Sequence, residues 1–289
     1  MLFLLIITIF FLLSGIESCP QQGLQQTKTQ ASKYGLDFDL VKGIGMLSEG
    51  SRIALGDDFN IRINIENYDK NPKSGKICIR DDIDSSYGGV DKECQDFYVG
   101  SARYEDGNFV KSGVAIVNFP RSGYYNYKNL PIDQNAILYV TTKYNQDLVI
   151  SSSPEGVQIP GSVNEEEISL NEKPAIIKLS VKKTVAESGL NYKAVFGITL
   201  KKILQNAKLY SPDFKREGLT VKAVLGNYPL DCNLEGDFLE FKEEDNTRLI
   251  KCSVLLPKEE LRYPLMINLI YGAEISKEFK YFIKKEALS

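Results

Sequence analysis

The sequence predicts an all-β protein built as two β-sandwich halves in tandem. Three observations carry this prediction: apolar and polar residues alternate along several segments, turn-forming residues separate those segments, and no segment shows sustained helical periodicity. The chain has 289 residues, and this length suits two domains of about 100–130 residues each. We therefore expect two strand-rich domains, each with its own core.

The first half contains the clearest strand pattern of the chain. Phe59, Ile61, Ile63 and Ile65 alternate with polar residues, as in a strand with one buried face. Asn-Pro and Ser-Gly pairs between residues 67 and 75 then predict a turn. Several short strands joined by such turns are typical of a sandwich, which we place at residues 41–162. Its further strands are predicted at residues 76–80, 94–99, 114–119, 136–143 and 148–151.

A stretch rich in Ser, Pro, Gly and acidic residues predicts a domain boundary at about residues 161–172. The second sandwich is placed at residues 170–289. Gly272 and Ala273 predict a hairpin between its last two strands. The strands of this half are predicted at residues 175–182, 192–200, 219–225, 228–232, 238–241, 249–256, 265–271 and 274–283.

The N-terminal residues predict export. Residues 1–13 are an apolar run of signal-peptide length, shorter than the roughly 20 residues that a membrane-spanning helix needs. We interpret residues 1–18 as a signal peptide or a short anchor, with a buried core helix as the alternative. Residues 20–32 are polar and low in complexity, so residues 19–40 are predicted to form a flexible tether.

Cys19 is a candidate site of lipid attachment. Ile16 and Ser18 lie three residues and one residue before it, which resembles a bacterial or archaeal lipobox. Glu17 departs from that pattern, because the position is normally small or hydroxylated. Lipidation of Cys19 and ordinary cleavage nearby therefore remain alternatives. Both alternatives predict an exported protein. Lipidation of Cys19 would in addition tether the protein to the membrane.

The other four cysteines predict two disulfides, one in each half. Cys78 pairs with Cys94 and Cys232 with Cys252, because an even set at short spacing in an exported protein is typical of disulfides. Each bridge closes a loop of about 15–20 residues and contributes roughly 3 kcal/mol in the chain-entropy model. Metal binding by these thiols is not expected, since the chain has no CxxC spacing and no histidine.

Composition excludes several classes of function. The chain contains no histidine, which removes Ser-His-Asp and Cys-His catalysis and the commonest neutral-pH general base. Lys and Arg number 35 against 38 Asp and Glu, and the lysines are spread along the chain without forming a long basic run. The sequence therefore shows neither a basic stripe for nucleic acid nor a polybasic membrane patch. We expect a protein that is not an enzyme and that needs no cofactor.

One acidic segment invites comparison with calcium loops. Asp82, Asp84, Ser86 and Glu93 occupy the first, third, fifth and twelfth positions of an EF-hand-type loop. Tyr87 stands where that loop needs glycine, so an EF-hand is excluded. A different calcium loop and a solvated hairpin tip remain, and the second is favoured.

The first half is rich in tyrosines in predicted loops. Tyrosine offers rigid, amphipathic contact area, which suits recognition of a protein or glycan. The alternative is that these rings pack on their own sandwich. The contact candidates are Tyr87, Tyr104, Tyr124, Tyr125 and Tyr127.

Short segments in both halves resemble known surface proteins. Residues 56–67, ending in Glu66 and Asn67, followed by 76–80, resemble the opening of immunoglobulin-like adhesion modules of the CARDB kind. Residues 249–256 and 264–272 are similar to tandem β-sandwich surface proteins of small-genome symbiotic, nanoarchaeal-type archaea. The resemblance implies two immunoglobulin-like sandwiches in an extracellular, membrane-tethered structural or adhesive protein. It brings no catalytic residues.

The combined expectation is an exported cell-surface protein that acts by contact. Its expected partners are another envelope or host-surface protein and, through the N-terminal segment, the membrane. A glycan or small-ligand binding module of the envelope is the alternative function, and a histidine-free carboxylate hydrolase is a third.

Overall fold

The computed structural model describes residues 35–160, 165–171, 175–259 and 261–285. The predicted signal or anchor segment, Cys19 and the tether up to residue 34 lie outside the described residues. Strands dominate the part of the chain that the structure describes, as predicted, and no α-helix occurs in it. Accordingly, none of the described residues belongs to a helix that is long and apolar enough to cross a membrane.

The first half contains ten strands and one short 3-10 turn, Ser85–Tyr87. The strands are β1 (Leu36–Leu40), β2 (Arg52–Ala54), β3 (Ile61–Asn67), β4 (Lys73–Asp81), β5 (Glu93–Val99), β6 (Arg103–Glu105), β7 (Asn108–Lys111), β8 (Gly113–Phe119), β9 (Gln134–Ser151) and β10 (Val157–Ile159). Residues 36–40, which the sequence assigned to the tether, form β1 and pair with β3 because their apolar side chains alternate inward.

The described residues of the second half contribute eleven strands. They are β11 (Glu166–Ile168), β12 (Ile177–Ser188), β13 (Asn191–Lys202), β14 (Ala207–Tyr210), β15 (Gly218–Leu225), β16 (Tyr228–Pro229), β17 (Asp231–Cys232), β18 (Phe238–Glu240), β19 (Thr247–Pro257), β20 (Leu261–Tyr263) and β21 (Leu265–Lys284).

A nine-stranded sheet runs through both halves. Its main order is β16-β15-β21-β9-β4-β5, while β14 and β2 also pair with β21 and β18 pairs with β15. The two longest strands lie side by side: β9 and β21 pair antiparallel from Met266 opposite Ser151 to Ile283 opposite Gln134. The halves that the sequence separated at about residue 161 therefore share a sheet.

The strand β21 corrects the predicted hairpin at Gly272 and Ala273. Gly272 continues the ladder opposite Asn145, and its backbone is not in the left-handed region that a tight turn would need. A Cβ at this position would lie 2.8 Å from the ring of Phe214. The glycine therefore makes room for a neighbouring ring and does not turn the chain.

Four smaller sheets complete the architecture of the described residues. The larger two have the orders β1-β3-β8 and β11-β12-β13-β19-β17, and the other two are the two-stranded pairs β6-β7 and β10-β20. Every even-numbered residue of β9 from Ala136 to Ile150 is buried, so the buried positions of both halves lie on one face of the shared sheet. A single hydrophobic core cluster contains inward residues of the nine-, three- and five-stranded sheets. The result is a layered β-sandwich arrangement in which β9 and β21 serve both halves.

A buried polar group lies where the two halves meet on β9. Asp69 Oδ2 accepts hydrogen bonds from Gln146 Nε2 at 2.8 Å, and Lys73 Nζ lies 3.0 Å from the same oxygen. Burial alone would raise the pKa of Asp69, but the Gln146 hydrogen bond and the Lys73 charge outweigh it and lower the pKa. The fully or nearly fully buried rings of Tyr144 and Tyr271 flank this group on β9 and β21. These contacts attach the loop between β3 and β4 to β9.

Because strands of both halves pair in one sheet, we expect that the first half does not fold alone. A fragment of residues 41–162 lacks β21, the ladder partner of β9 and β2. We expect this fragment to show no cooperative thermal unfolding in circular dichroism, and to regain it when mixed with a fragment of residues 163–289. Residues 33–289, expressed as one chain, are the control and should unfold in one transition. A sharp transition of the isolated 41–162 fragment would contradict the expectation.

Candidate contact surface

Two disulfides are present, with the predicted partners. Cys78 bonds to Cys94 across β4 and β5, and Cys232 bonds to Cys252 across β17 and β19. Their sequence separations are 16 and 20 residues. Each bond ties the last strand of a sheet to its neighbour, because β5 and β17 end their sheets. The disulfides therefore hold edge strands in place.

The five tyrosine candidates lie in different environments. Tyr124 is 64% exposed, whereas Tyr127 is fully buried, which corrects the prediction of a contact role for Tyr127. Tyr104 is half-buried and donates from its hydroxyl to the backbone oxygen of Tyr68 at 2.7 Å. Tyr125 is also half-buried, and its hydroxyl donates to Glu93 Oε2 at 2.5 Å. Tyr87 is half-buried and packs against the core.

Tyr127 belongs to a buried hydrogen-bonded cluster around Asp81. Asp81 Oδ2 accepts from the Tyr127 hydroxyl at 2.5 Å, from the Tyr281 hydroxyl at 3.2 Å and from the Val90 amide at 2.9 Å. Burial raises the pKa of Asp81 despite these donors. The Tyr127 ring stacks on Phe59 at 5.4 Å between centroids. This cluster joins three separate segments of the first half to β21, and its role is structural.

The acidic side chains of the calcium-loop candidate have different hydrogen-bond partners and do not share one site. Asp82 Oδ1 accepts from the Ile137 amide at 2.8 Å, while Asp84 caps the 3-10 turn by accepting from the amide of Ser86. Glu93 bonds to Tyr125 and Gln95. Within the described residues no three carboxylate or thiol side chains converge in a way that could hold a metal ion. Each weak calcium candidate therefore has a local structural task.

The strongest candidate surface lies between the edge strands β5 and β8. A cleft of about 330 Å³ separates them. No backbone ladder joins the two strands in the described part of the chain, although Gln95 Nε2 donates to the Asn118 carbonyl at 2.8 Å across one end. The lining residues are Gln95, Asp96, Phe97, Tyr98, Ala115, Ile116, Val117, Asn118 and Arg121.

Apolar side chains project from this cleft and its rim into solvent. Tyr98 is 68% exposed, Val114 56% and Ile116 55%. We call the cleft together with Tyr98, Val114 and Ile116 the β5–β8 surface. Val117 and Phe119 fill the opposite, buried face of β8. The sequence predicted this strand but missed the surface, although the signal was present: residues 114–119 are apolar on both faces.

No protein-family model matches this chain, and the curated proteins contain no match to its sequence. The functional argument therefore depends on the geometry of the described residues. That geometry offers a cleft with a mainly polar lining, accompanied by exposed apolar side chains, between two edge strands, one of which is fixed by a disulfide.

The tyrosine segment 123–128 yields a prediction with an internal control. Tyr127→Ser should lower the free energy of unfolding by about 3–5 kcal/mol, because it empties a buried ring site and leaves Asp81 with one donor fewer. Tyr124→Ser should change it by less than about 0.5 kcal/mol, since that ring is exposed. Urea unfolding of both variants measures the difference. Equal effects would contradict the burial of Tyr127.

A second prediction concerns alkaline pH. Burial, as the main cause, raises the pKa values of Tyr127, Tyr144, Tyr271 and Tyr281 above their usual range. The folded state then keeps protons that the unfolded state loses above about pH 10, so stability falls as the pH rises. With four such groups, the free energy of unfolding falls above about pH 10 by an amount that approaches about 5 kcal/mol per pH unit.

Ultraviolet absorbance of ionised tyrosine during a pH titration, followed beside circular dichroism, measures this effect. These four tyrosines should ionise only together with unfolding. Tyr144→Phe should reduce the pH dependence of unfolding above about pH 10 by roughly a quarter, because one of the four groups is removed. If all tyrosines ionised gradually while circular dichroism still showed the folded state, the prediction of coupled ionisation and unfolding would be wrong.

Proposed function

We propose that this chain is an exported cell-surface protein with a structural or adhesive role, and that it acts by protein–protein contact without catalysis. The observation that carries the proposal is the β5–β8 surface, where Tyr98, Val114 and Ile116 are each more than half exposed. Contiguous exposed apolar side chains beside a cleft are typical of interaction sites. The expected partner is another envelope or host-surface protein.

The edge strands suggest how contact occurs. A strand at the edge of a sheet has unpaired backbone groups, and an extended segment of a partner pairs with them while its side chains enter neighbouring pockets. The Cys78–Cys94 disulfide ties β5 to β4, so little ordering is required of this edge when a partner binds. Ile116 and Tyr98 would supply the apolar contacts.

Export is part of the same proposal. The apolar run of residues 1–13 and the two disulfides favour an oxidising compartment outside the cytoplasm. We further propose that the N-terminal segment tethers the protein to the membrane and that each half is an immunoglobulin-like sandwich. In its support, each half contains one disulfide, and residues of a three-stranded sheet in the first half and of a five-stranded sheet in the second join the core of the shared sheet.

Site-specific photo-crosslinking in the native cells tests the proposal. With a photo-reactive residue in place of Ile116, we expect one discrete protein adduct. The control places the same residue at Ile132, which is 66% exposed and lies outside the β5–β8 surface. Adducts to polysaccharide alone would favour the glycan-binding alternative, and equal adducts at both positions would contradict a specific contact.

Once the partner is identified, Ile116→Glu should weaken binding about 30-fold, because a charge replaces an apolar anchor at the cleft. Thermal stability should stay within about 0.5 kcal/mol of the wild type, since the side chain is exposed. Ile132→Glu is the matched control and should bind normally. Isothermal titration calorimetry measures all three proteins.

A further inference from the structure

The outer face of the five-stranded sheet gathers lysines that are scattered in the sequence. Lys178 and Lys182 lie on β12, Lys193 and Lys201 on β13, and Lys251 on β19, and all five are exposed. The register places them on one face, because Lys178 pairs with Lys201 while Gly197 pairs with both Lys182 and Lys251. We call this set the basic face.

The central strands carry no negative charge on this face. The other outward positions of β12, β13 and β19 hold small, hydroxylated or aliphatic residues. Acidic residues flank the face at its sides: Glu165 and Glu167 next to β12, and Asp231 on β17. Because the whole chain has a formal net charge of −3, this concentration of positive charge contrasts with the rest of the protein.

The lysines of the basic face differ in whether a counter-charge lies beside them. Lys178 and Lys201 lie directly opposite each other on adjacent strands, and like charges in such pairs destabilise a sheet. Lys182 pairs with Glu165 at 2.8 Å. Lys193, Lys201 and Lys251 form no ion pair with any of the described residues. An anionic partner would relieve this repulsion.

Leucine side chains accompany the lysines. Leu249 is 58% exposed and Leu255 57%, both outward on β19, and Leu190 in the turn between β12 and β13 is 89% exposed. Basic residues together with protruding leucines are the combination found on surfaces that insert into lipid headgroups. Aromatic rings, on which sugars stack, are absent from the outward positions of β12, β13 and β19 in the described structure.

We propose that the basic face binds the surface of a bilayer containing anionic lipids. The lysines attract the headgroup phosphates, and Leu249, Leu255 and Leu190 enter the headgroup region. Lys193 and Lys201 are separated by eight residues along β13, about 26 Å, so the charges are spread over an extended area suited to a membrane. This inference concerns a different sheet from the β5–β8 surface and does not depend on the proposed function.

Vesicle flotation with the purified full-length chain tests it. Vesicles of phosphatidylcholine alone set the baseline, including any contribution of the N-terminal segment, and a second set contains about 30 mol% phosphatidylglycerol. We expect the anionic vesicles to bind the chain at least about tenfold more strongly at low salt, and this excess to disappear at about 0.5 M NaCl.

The triple variant Lys193→Glu, Lys201→Glu, Lys251→Glu should lose the excess binding and keep the baseline. Its melting temperature should not fall, because Lys201→Glu replaces a like-charge pair with an opposite-charge pair. The control with the same change of net charge replaces exposed lysines of the first half. It carries Lys92→Glu, Lys111→Glu and Lys128→Glu and should retain most of the excess.

A further variant, Leu249→Ser with Leu255→Ser, should weaken binding to the anionic vesicles several-fold, while Val149→Ser, on another sheet, should not. Three results would overturn the proposal: no preference for anionic vesicles, equal losses in the two lysine triple variants, or binding of the basic face to a soluble acidic polysaccharide or nucleic acid without binding to vesicles.

Discussion

The antiparallel ladder between β9 and β21 is the constraint on which the rest of the structure depends. It joins strands that are far apart in the chain, and it continues from one half of the protein into the other. Because side chains alternate with a period of two, a slip of one residue would turn the buried set of β9 toward solvent along its whole length. The cores of both halves therefore depend on one register.

Buried polar groups hold the segments around this ladder. The ammonium of Lys183 is fully buried on β12, where it donates to the Gln158 carbonyl at 2.7 Å and pairs with Glu166 at 2.8 Å. Lys202 Nζ similarly donates to the Glu243 carbonyl at 2.6 Å. Loss of such a partner leaves a buried charge uncompensated, which is costly. The carboxylates of Asp69 and Asp81 likewise accept hydrogen bonds that join a loop to a strand. The buried lysines and these two carboxylates therefore specify how loops attach to the sheets.

The two proposed surfaces occupy different sheets and differ in chemistry. The β5–β8 surface combines a cleft of mainly polar lining with exposed apolar side chains and lies between edge strands, whereas the basic face is charged and lies in the middle of a sheet. The shared sheet links both to one rigid ladder, and the disulfides secure edge strands of the two sheets concerned. The two proposals together describe contacts with a partner protein and with a membrane through different sheets of one protein.

The sequence by itself determined the strand content, both cysteine pairs and most strand positions, because alternation and cysteine spacing are local signals. It could not determine that residues 136–151 and 265–284 each form one long strand, since that depends on their pairing with each other. It also could not separate Tyr124 from Tyr127, which only the Asp81 cluster distinguishes.

Tertiary structure alone decided the two candidate surfaces. Val114 and Ile116 are exposed because they lie on the face of β8 opposite the one that Val117 and Phe119 bury in the core. Lys182 and Lys183, and likewise Lys201 and Lys202, are neighbours in sequence, yet in each pair one lysine is buried and the other belongs to the basic face. The physical reason is that adjacent residues of a strand point to opposite faces, and only the packing of the sheets determines which face meets solvent.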